Sequence, residues 1–364
     1  QVFDQDGKLV ADHQNLPADR LDPAGNPLHR FYNRKTEMVQ LSDFNENNPA
    51  LMDYLVGAYL QWIDQGADAF RVDTIKHMPL PFWKEFSRRI RDKHPGFFMF
   101  AEAFDYEAGK IAPFTWPENG GITVLDFPLK ERLAKVFGRN GDGFEKLSDA
   151  MLLIDGPYQN PYELMTFYDN HDMPRLDADD NGFIDAHNWL FTARGIPVIY
   201  YGSETGFMRG KAEHEGNRNY YGQERIDAGL SHPIYVNLQR IAQIRRQSVA
   251  LQKGLQLNVF LDGDRAAFYR VFQHGDVRQT ALVLLNKGGK PAHFKLDRLV
   301  QIGTWRSAVT GSSLRIDAAK PRLDTVVPAH GVEVLLFDGA LNAPDLLKEL
   351  DRLQAGRLRR TSGG

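Results

Sequence analysis

Three carboxylates stand just past three apolar runs. The run from Ala69 ends at Asp73, the run Phe97–Ala101 ends at Glu102, and Met165–Tyr168 opens into Asp169-Asn170-His171-Asp172. Phe70 and Val72 alternate with Arg71 and Asp73, the period of a strand with one apolar face. Arg71 and Asp73 therefore share the opposite face, at the strand's C-terminal end. In parallel α/β folds that edge is where catalytic side chains collect. Neighbouring strands lie about 4.8 Å apart, so the Asp73 and Glu102 carboxyls are expected roughly 5 Å from each other, the spacing of a retaining glycosidase pair. In that chemistry one carboxylate attacks the sugar carbon while the other, protonated, gives its proton to the leaving oxygen. Arg71 would hold Asp73 ionised. Phe100, Ala101, Ala103 and Phe104 would give Glu102 an apolar setting that raises its pKa. Asp172 would add a third carboxylate to stabilise positive charge on the sugar, with His171 bonding to sugar hydroxyls. An ion pair closing a strand, or a helix cap, explains each residue singly but not all of them at strand ends in order.

The elements that must carry these residues alternate. Asn48 and Pro49 open a helix that Gly66 ends, with Leu51, Met52, Leu55, Val56, Tyr59, Trp62 and Ile63 on one wide apolar face. Strand 70–73 follows, then a helix over 81–93, strand 97–101, strand 122–127, helices near 130–137 and 143–154, strand 164–168, a helix around 186–192 and strand 195–201. A basic amphipathic helix spans 234–247. Strands separated by helices in this way imply a doubly wound sheet or a (β/α)8 barrel. Residues 1–48 are rich in turn formers and read as a loop-rich excursion with short strands near 8–11 and 38–41. From about residue 251 short runs recur at 258–261, 266–273, 280–286, 292–296, 304–308, 313–316, 325–327 and 332–337, the pattern of a small antiparallel β-sandwich. Residues 339–364 read as a short helix, 343–353, and a basic end.

With 364 residues there is room for one large and one smaller domain. A hydrophobic content of 42% and a charged content of 25% are those of an ordinary globular chain. No apolar run reaches the ~18 residues that span a membrane, and a net charge of −3 argues against binding nucleic acid through phosphates. The chain has no cysteine, which removes disulfides and thiolate metal sites. Gln1-Val2-Phe3 carries no initiator Met, no basic n-region and no signal-peptide h-region. A dinucleotide-binding enzyme is excluded because no G-x-G-x-x-G follows a strand and opens a helix.

The segments Phe70-Arg71-Val72-Asp73-x-x-Lys76-His77, Glu102 with its strand, and Phe167-Tyr168-Asp169-Asn170-His171-Asp172 resemble three signature regions of the α-amylase family, glycoside hydrolase family 13. Lys76-His77-Met78-Pro79 and the Asp169–Met173 run are most similar to cyclodextrin glucanotransferases and their near relatives, and Gly195–Glu204 is similar to the family's last barrel strand. The resemblance implies a partial TIM (β/α)8 barrel, strands four to eight, with a C-terminal β-sandwich. Its domains would be a loop-rich insertion at 1–48, the barrel part at 49–250, the all-β domain at 251–338 and a tail at 339–364. It implies Asp73 as nucleophile, Glu102 as general acid/base and Asp172 as transition-state stabiliser. Arg71 and His171 would sit where the bond is cut, and Lys76, His77 and Phe104 on the acceptor side. The implied reaction is glucanotransferase-like transfer on α-1,4-glucans such as starch, in a secreted or periplasmic protein, with hydrolysis as the alternative. The family's Asn-His signature and three strands would lie upstream of Gln1. If they are lacking altogether, a non-catalytic glucan-binding remnant is the reading from another class. Val39 falls where the glucanotransferases hold a central aromatic, which argues against cyclisation.

Calcium is the expected metal. The resemblance implies Asp43 and the His77 carbonyl as ligands. Independently, Asp177-Ala-Asp179-Asp-Asn181-Gly182-Phe-Ile-Asp185 fits the opening of an EF-hand loop, although position 12 is Asn188 where a Glu is expected.

Overall fold

The computed structural model describes residues 1–35 and 41–361, with side chains to residue 356. The expected strand at 38–41 and the Val39 position therefore lie, but for Leu41, outside the described residues. The chain packs as two compact units, Gln1–Phe104 with Ile111–Val124, and Asp105–Lys110 with Leu125–Gly364.

In the first unit, the described residues of the N-terminal segment carry the strands β1 (Val2–Phe3) and β2 (Leu9–Ala11), paired antiparallel over a small cluster of Ala11, Leu21 and Tyr32. The helix Pro49–Asp64 begins as expected: the Asn48 side chain accepts from the Ala50 N–H, and Pro49 occupies the first turn, where no partner for its missing N–H is needed. A parallel sheet follows in the order β3 (Ala69–Val72), β4 (Phe98–Ala101), β5 (Thr123–Val124). Between β3 and β4 the helix Leu80–Lys93 buries Phe82, Trp83, Phe86 and Ile90. On β3, Phe70 and Val72 are half-buried while Ala69 and Arg71 are exposed, the alternation read from the sequence. Phe70 packs on Phe97 and Tyr59, with ring centroids 4.7 and 5.2 Å away.

In the second unit, β6 (Met165–Thr166) and β7 (Ile196–Pro197) pair in parallel, and Leu125 bridges to Met165 in the same sense. The connecting helices are Phe127–Phe137, Asp180–Thr192 and Pro233–Arg246. Around 143–154 the expected single helix is broken. A 3-10 turn, Phe144–Leu147, and one α-turn, Ser148–Met151, end at Leu152 in the left-handed region.

The remaining strands are β8 (Leu255–Asp262), β9 (Arg265–His274), β10 (Val277–Asn286), β11 (Ala292–Leu296), β12 (Gly303–Ser307), β13 (Ser313–Ile316), β14 (Leu323–Val327) and β15 (Gly331–Asp338). Six form an antiparallel sheet in the order β13-β12-β15-β10-β9-β8, and β11 pairs separately with β14. The large sheet is covered on both faces. Ala266, Phe268, Ala281, Val283 and Leu285 pack toward Trp189, Phe144 and Ile241. Ala267, Tyr269, Leu282 and Leu284 pack toward Phe294, Trp305 and the helix residues Leu346, Leu350 and Leu353. Two-sided burial explains why residues 281–285 of β10 read as an uninterrupted apolar run. The C-terminal helix, Pro344–Thr361, extends past the 343–353 expected. Its Leu346, Leu350 and Leu353, at spacings of four and three, supply the apolar stripe.

Candidate active site

Asp73 directly follows β3, and Glu102 directly follows β4. The ladder continues one step past the strands: the Glu102 N–H donates to Val72 O at 2.9 Å and the Ile75 N–H to Glu102 O at 3.3 Å. That places the two carboxylates on the same edge. Thr74 takes a left-handed conformation, φ 48°, and turns the chain into the 3-10 segment Ile75–His77. Buried Ile75 and a bond from Trp83 Nε1 to Ile75 O, 2.8 Å, hold that turn down.

Arg71 is the hub. Its Nη1 lies 3.1 Å from Asp73 Oδ1 and its Nη2 2.8 Å from Glu102 Oε2. Asp73 is 64% exposed and Glu102 only 12%. The Asp73 carboxyl is held below the usual carboxylate range, first by a hydrogen bond with Glu102 and then by the Arg71 guanidinium. The two carboxyls thus meet in hydrogen-bond contact, closer than strand spacing alone suggests. Asp73 is thus favoured as a carboxylate, the form a nucleophile requires.

Other expected residues collect beside this pair. Lys76 Nζ donates to Phe104 O at 3.0 Å, and the Phe104 ring is half-exposed. His77 and Asp43 line one cavity of about 430 Å³ together with Phe70, Arg71, Asp73 and Thr74. Asp43 Oδ2 accepts from Asn33 Nδ2 at 3.0 Å, and the same amide reaches Glu46 Oε2 at 3.0 Å. Among the described residues no group of three His, Asp or Glu side chains gathers to hold a metal.

In the second unit, the segment after β6 is fixed through buried Asp169. Its Oδ1 accepts from the Leu176 N–H at 2.7 Å and its Oδ2 from Ser203 Oγ at 2.9 Å. Burial pushes its pKa up. Asp172 is partly exposed and paired twice, with His171 Nε2 at 2.8 Å and with Arg218 Nη2. Arg218 Nε also donates to His171 O at 3.1 Å, as does Asn217 Nδ2 at 2.6 Å. Arg175, buried, stacks over Tyr200 at 4.5 Å and donates to Tyr201 O and Gly216 O. Sequence reasoning missed Asn217, Arg218 and Arg175. The first two lie in a polar loop about 45 residues from their partners, and no local period marks them.

The expected ion-binding loop at 177–185 is instead the start of a helix. Asp179 is its N-cap, with Oδ1 accepting from the Gly182 N–H at 2.9 Å, and Asn181 lies in its first turn. Asp177 pairs with Arg139 at 2.7 Å. Asp185 is buried against His330, 2.7 Å away, and burial pushes its pKa up to about 7. Three of the four side chains that a loop would aim at one ion, Asp177, Asp179 and Asp185, thus have separate partners, because Asp-x-x-Gly also caps a helix and an apolar helix face was available to bury.

The alpha-amylase catalytic-domain family matches residues 25–231. A cyclomaltodextrin glucanotransferase of Bacillus sp. (strain 38-2) is 28% identical over 300 residues, 78% of this chain and 40% of the relative. An alpha-amylase of Streptomyces lividans is 26% identical over 348 residues, 84% of this chain and 37% of the relative. The chain thus spans about 40% of the length of such curated relatives. Among solved structures, CldA, described as the first cyclomaltodextrin glucanotransferase with a three-domain ABC distribution, superposes with a TM-score of 0.72 at 26% identity, covering 92% of this chain and 70% of that one. The strand-end carboxylates, their order along the chain and a match over more than half its length together show that this chain belongs to the α-amylase family, glycoside hydrolase family 13.

Proposed function

We propose that the chain carries the catalytic residues of a retaining enzyme acting on α-1,4-glucans, with Asp73 as nucleophile, Glu102 as general acid/base and Asp172 as transition-state stabiliser. The observation that carries this reading is Arg71 bound to both Asp73 and Glu102 at the ends of neighbouring parallel strands, with Asp73 held below the usual carboxylate range. Asp73 would attack the anomeric carbon as Glu102 protonates the departing oxygen. Glu102, then a carboxylate, would draw the proton from the incoming sugar hydroxyl or water. Asp172 is assigned its role by its place in the 167–172 segment. The scaffold proposed is strands four to eight of a (β/α)8 barrel, supported by the parallel pairing of β3, β4 and β5 and of β6 with β7.

Transfer to an acceptor sugar is favoured by Lys76, His77 and Phe104, which stand beside the Asp73–Glu102 pair. Hydrolysis is the second reading, because an alpha-amylase and glucanotransferases resemble the chain to a similar degree. Calcium belongs to the proposal at Asp43 and the His77 carbonyl, where it would fasten the loop-rich segment beside the Asp73 strand and take no part in proton transfer. The test is product analysis after incubation with starch. Rearranged or cyclic oligosaccharides mean transfer, and reducing sugar alone means hydrolysis. Glu102→Gln should abolish either, and full activity in that variant would refute the assignment.

A further inference from the structure

The loop that pairs with Asp172 continues into an aromatic residue with no task in the account so far. Tyr220 is 86% exposed, the most exposed large hydrophobic side chain among the described residues. An exposed tyrosine is ordinary when its backbone is loose, and here the backbone is anchored on both sides. Arg218 pairs with Asp172. Asn219 O accepts from Tyr201 Oη at 2.7 Å. Tyr221 Oη bonds to Thr205 Oγ1 at 2.7 Å, its ring packs on Phe207, and its carbonyl accepts from Arg225 Nη1. Gly222 completes the arrangement. Its φ is +81°, and a Cβ there would lie 3.2 Å from Tyr220 Cε1, so the ring leans on bare backbone. The ring passes close to the Gly222 backbone and is otherwise open to solvent.

We propose that Tyr220 is a stacking platform for one glucose ring of an α-glucan that runs across Asp172. The flat, weakly polar C–H face of a pyranose suits an aromatic ring, and the low side-chain entropy of tyrosine makes it an efficient contact. Two residues of chain span at most about 7 Å, and the extended Arg218 side chain reaches about as far again to Asp172, so the platform lies within a few sugar rings of that carboxylate. Tyr220 is a specificity-determining residue: it selects longer glucans over short ones and leaves the bond-breaking groups alone.

This inference rests on the glucan reading above, and its test separates the two. Binding of maltose and of maltoheptaose is measured by calorimetry on the full chain carrying Glu102→Gln, so that nothing is turned over, with and without Tyr220→Ala or Tyr220→Trp. The expected result is about tenfold weaker maltoheptaose binding in the alanine variant, a change under about twofold for maltose, and recovery with tryptophan. Gly222→Ala, which crowds the ring, should reproduce part of the loss. Unchanged maltoheptaose affinity in Tyr220→Ala, or equal losses for both sugars, would overturn the platform while leaving the glucan reading intact. A parent chain that binds neither sugar would overturn both.

Discussion

Asp185 offers a prediction whose size and sign both come from the structure. Its carboxyl is almost fully buried in the helix Asp180–Thr192 and meets His330 Nδ1 at 2.7 Å. Burial raises its pKa from 3.8 to about 7, and the hydrogen bond with His330 and the nearby Lys287 offset only part of that rise. The folded chain therefore keeps a proton that the unfolded chain releases. For a group raised in this way, its contribution to stability is complete below pH 3.8 and is lost as pH climbs through about 7. A rise of about three pH units corresponds to about 4 kcal/mol, an order-of-magnitude figure. Asp185→Asn cannot titrate, yet its Oδ1 can still accept from His330. The variant should match the parent near pH 4 and exceed it by up to about 4 kcal/mol at pH 8. Urea denaturation of both proteins at half-unit steps from pH 4 to 8, compared as a difference, reads this directly. A difference that stays flat, or that grows toward acid, would refute the reasoning.

Further outcomes follow from other contacts. Arg71→Met removes the cation that both carboxyls share. Activity on maltoheptaose should fall at least about a hundredfold with the fold intact by circular dichroism, and the acid limb of the pH–rate profile should move to higher pH because Asp73 is no longer held low. Asp126→Ala strips the fully buried Arg194 of its ion pair and should cost about 3–5 kcal/mol in urea denaturation. A cost under about 1 kcal/mol would show that the Ala150, Met151 and Pro161 carbonyls satisfy the guanidinium on their own. If calcium sits at Asp43, EGTA should lower the melting temperature of the parent and leave that of Asp43→Ala unchanged. Equal shifts in both would place the ion elsewhere.

What could be read from the sequence was whatever local pattern determines. The Phe70–Val72 alternation and the Asn48-Pro49 helix start needed no tertiary knowledge, and the structure has both. Boundaries failed where a polar side chain had two uses. The expected strand 122–127 shrinks to Thr123–Val124 because Asp126 caps the next helix, accepting from the Leu129 N–H at 3.1 Å, while also pairing with Arg194. Asp179 was read as an ion ligand and is a cap for the same reason. Buried arginines were illegible. Nothing in the neighbourhood of Arg194, Arg245 or Arg270 distinguishes a guanidinium bonded to backbone carbonyls from one in water. Arg218 meets Asp172 only through the fold.

The central claim is that Asp73 is the carboxylate that bonds to sugar. Incubating the full chain with 5-fluoro-α-glucosyl fluoride, digesting it and mapping the adduct by mass spectrometry tests this most directly. The account predicts a single glycosylated peptide, modified at Asp73. An adduct on Glu102 or Asp172, or no adduct at saturating reagent, would contradict it.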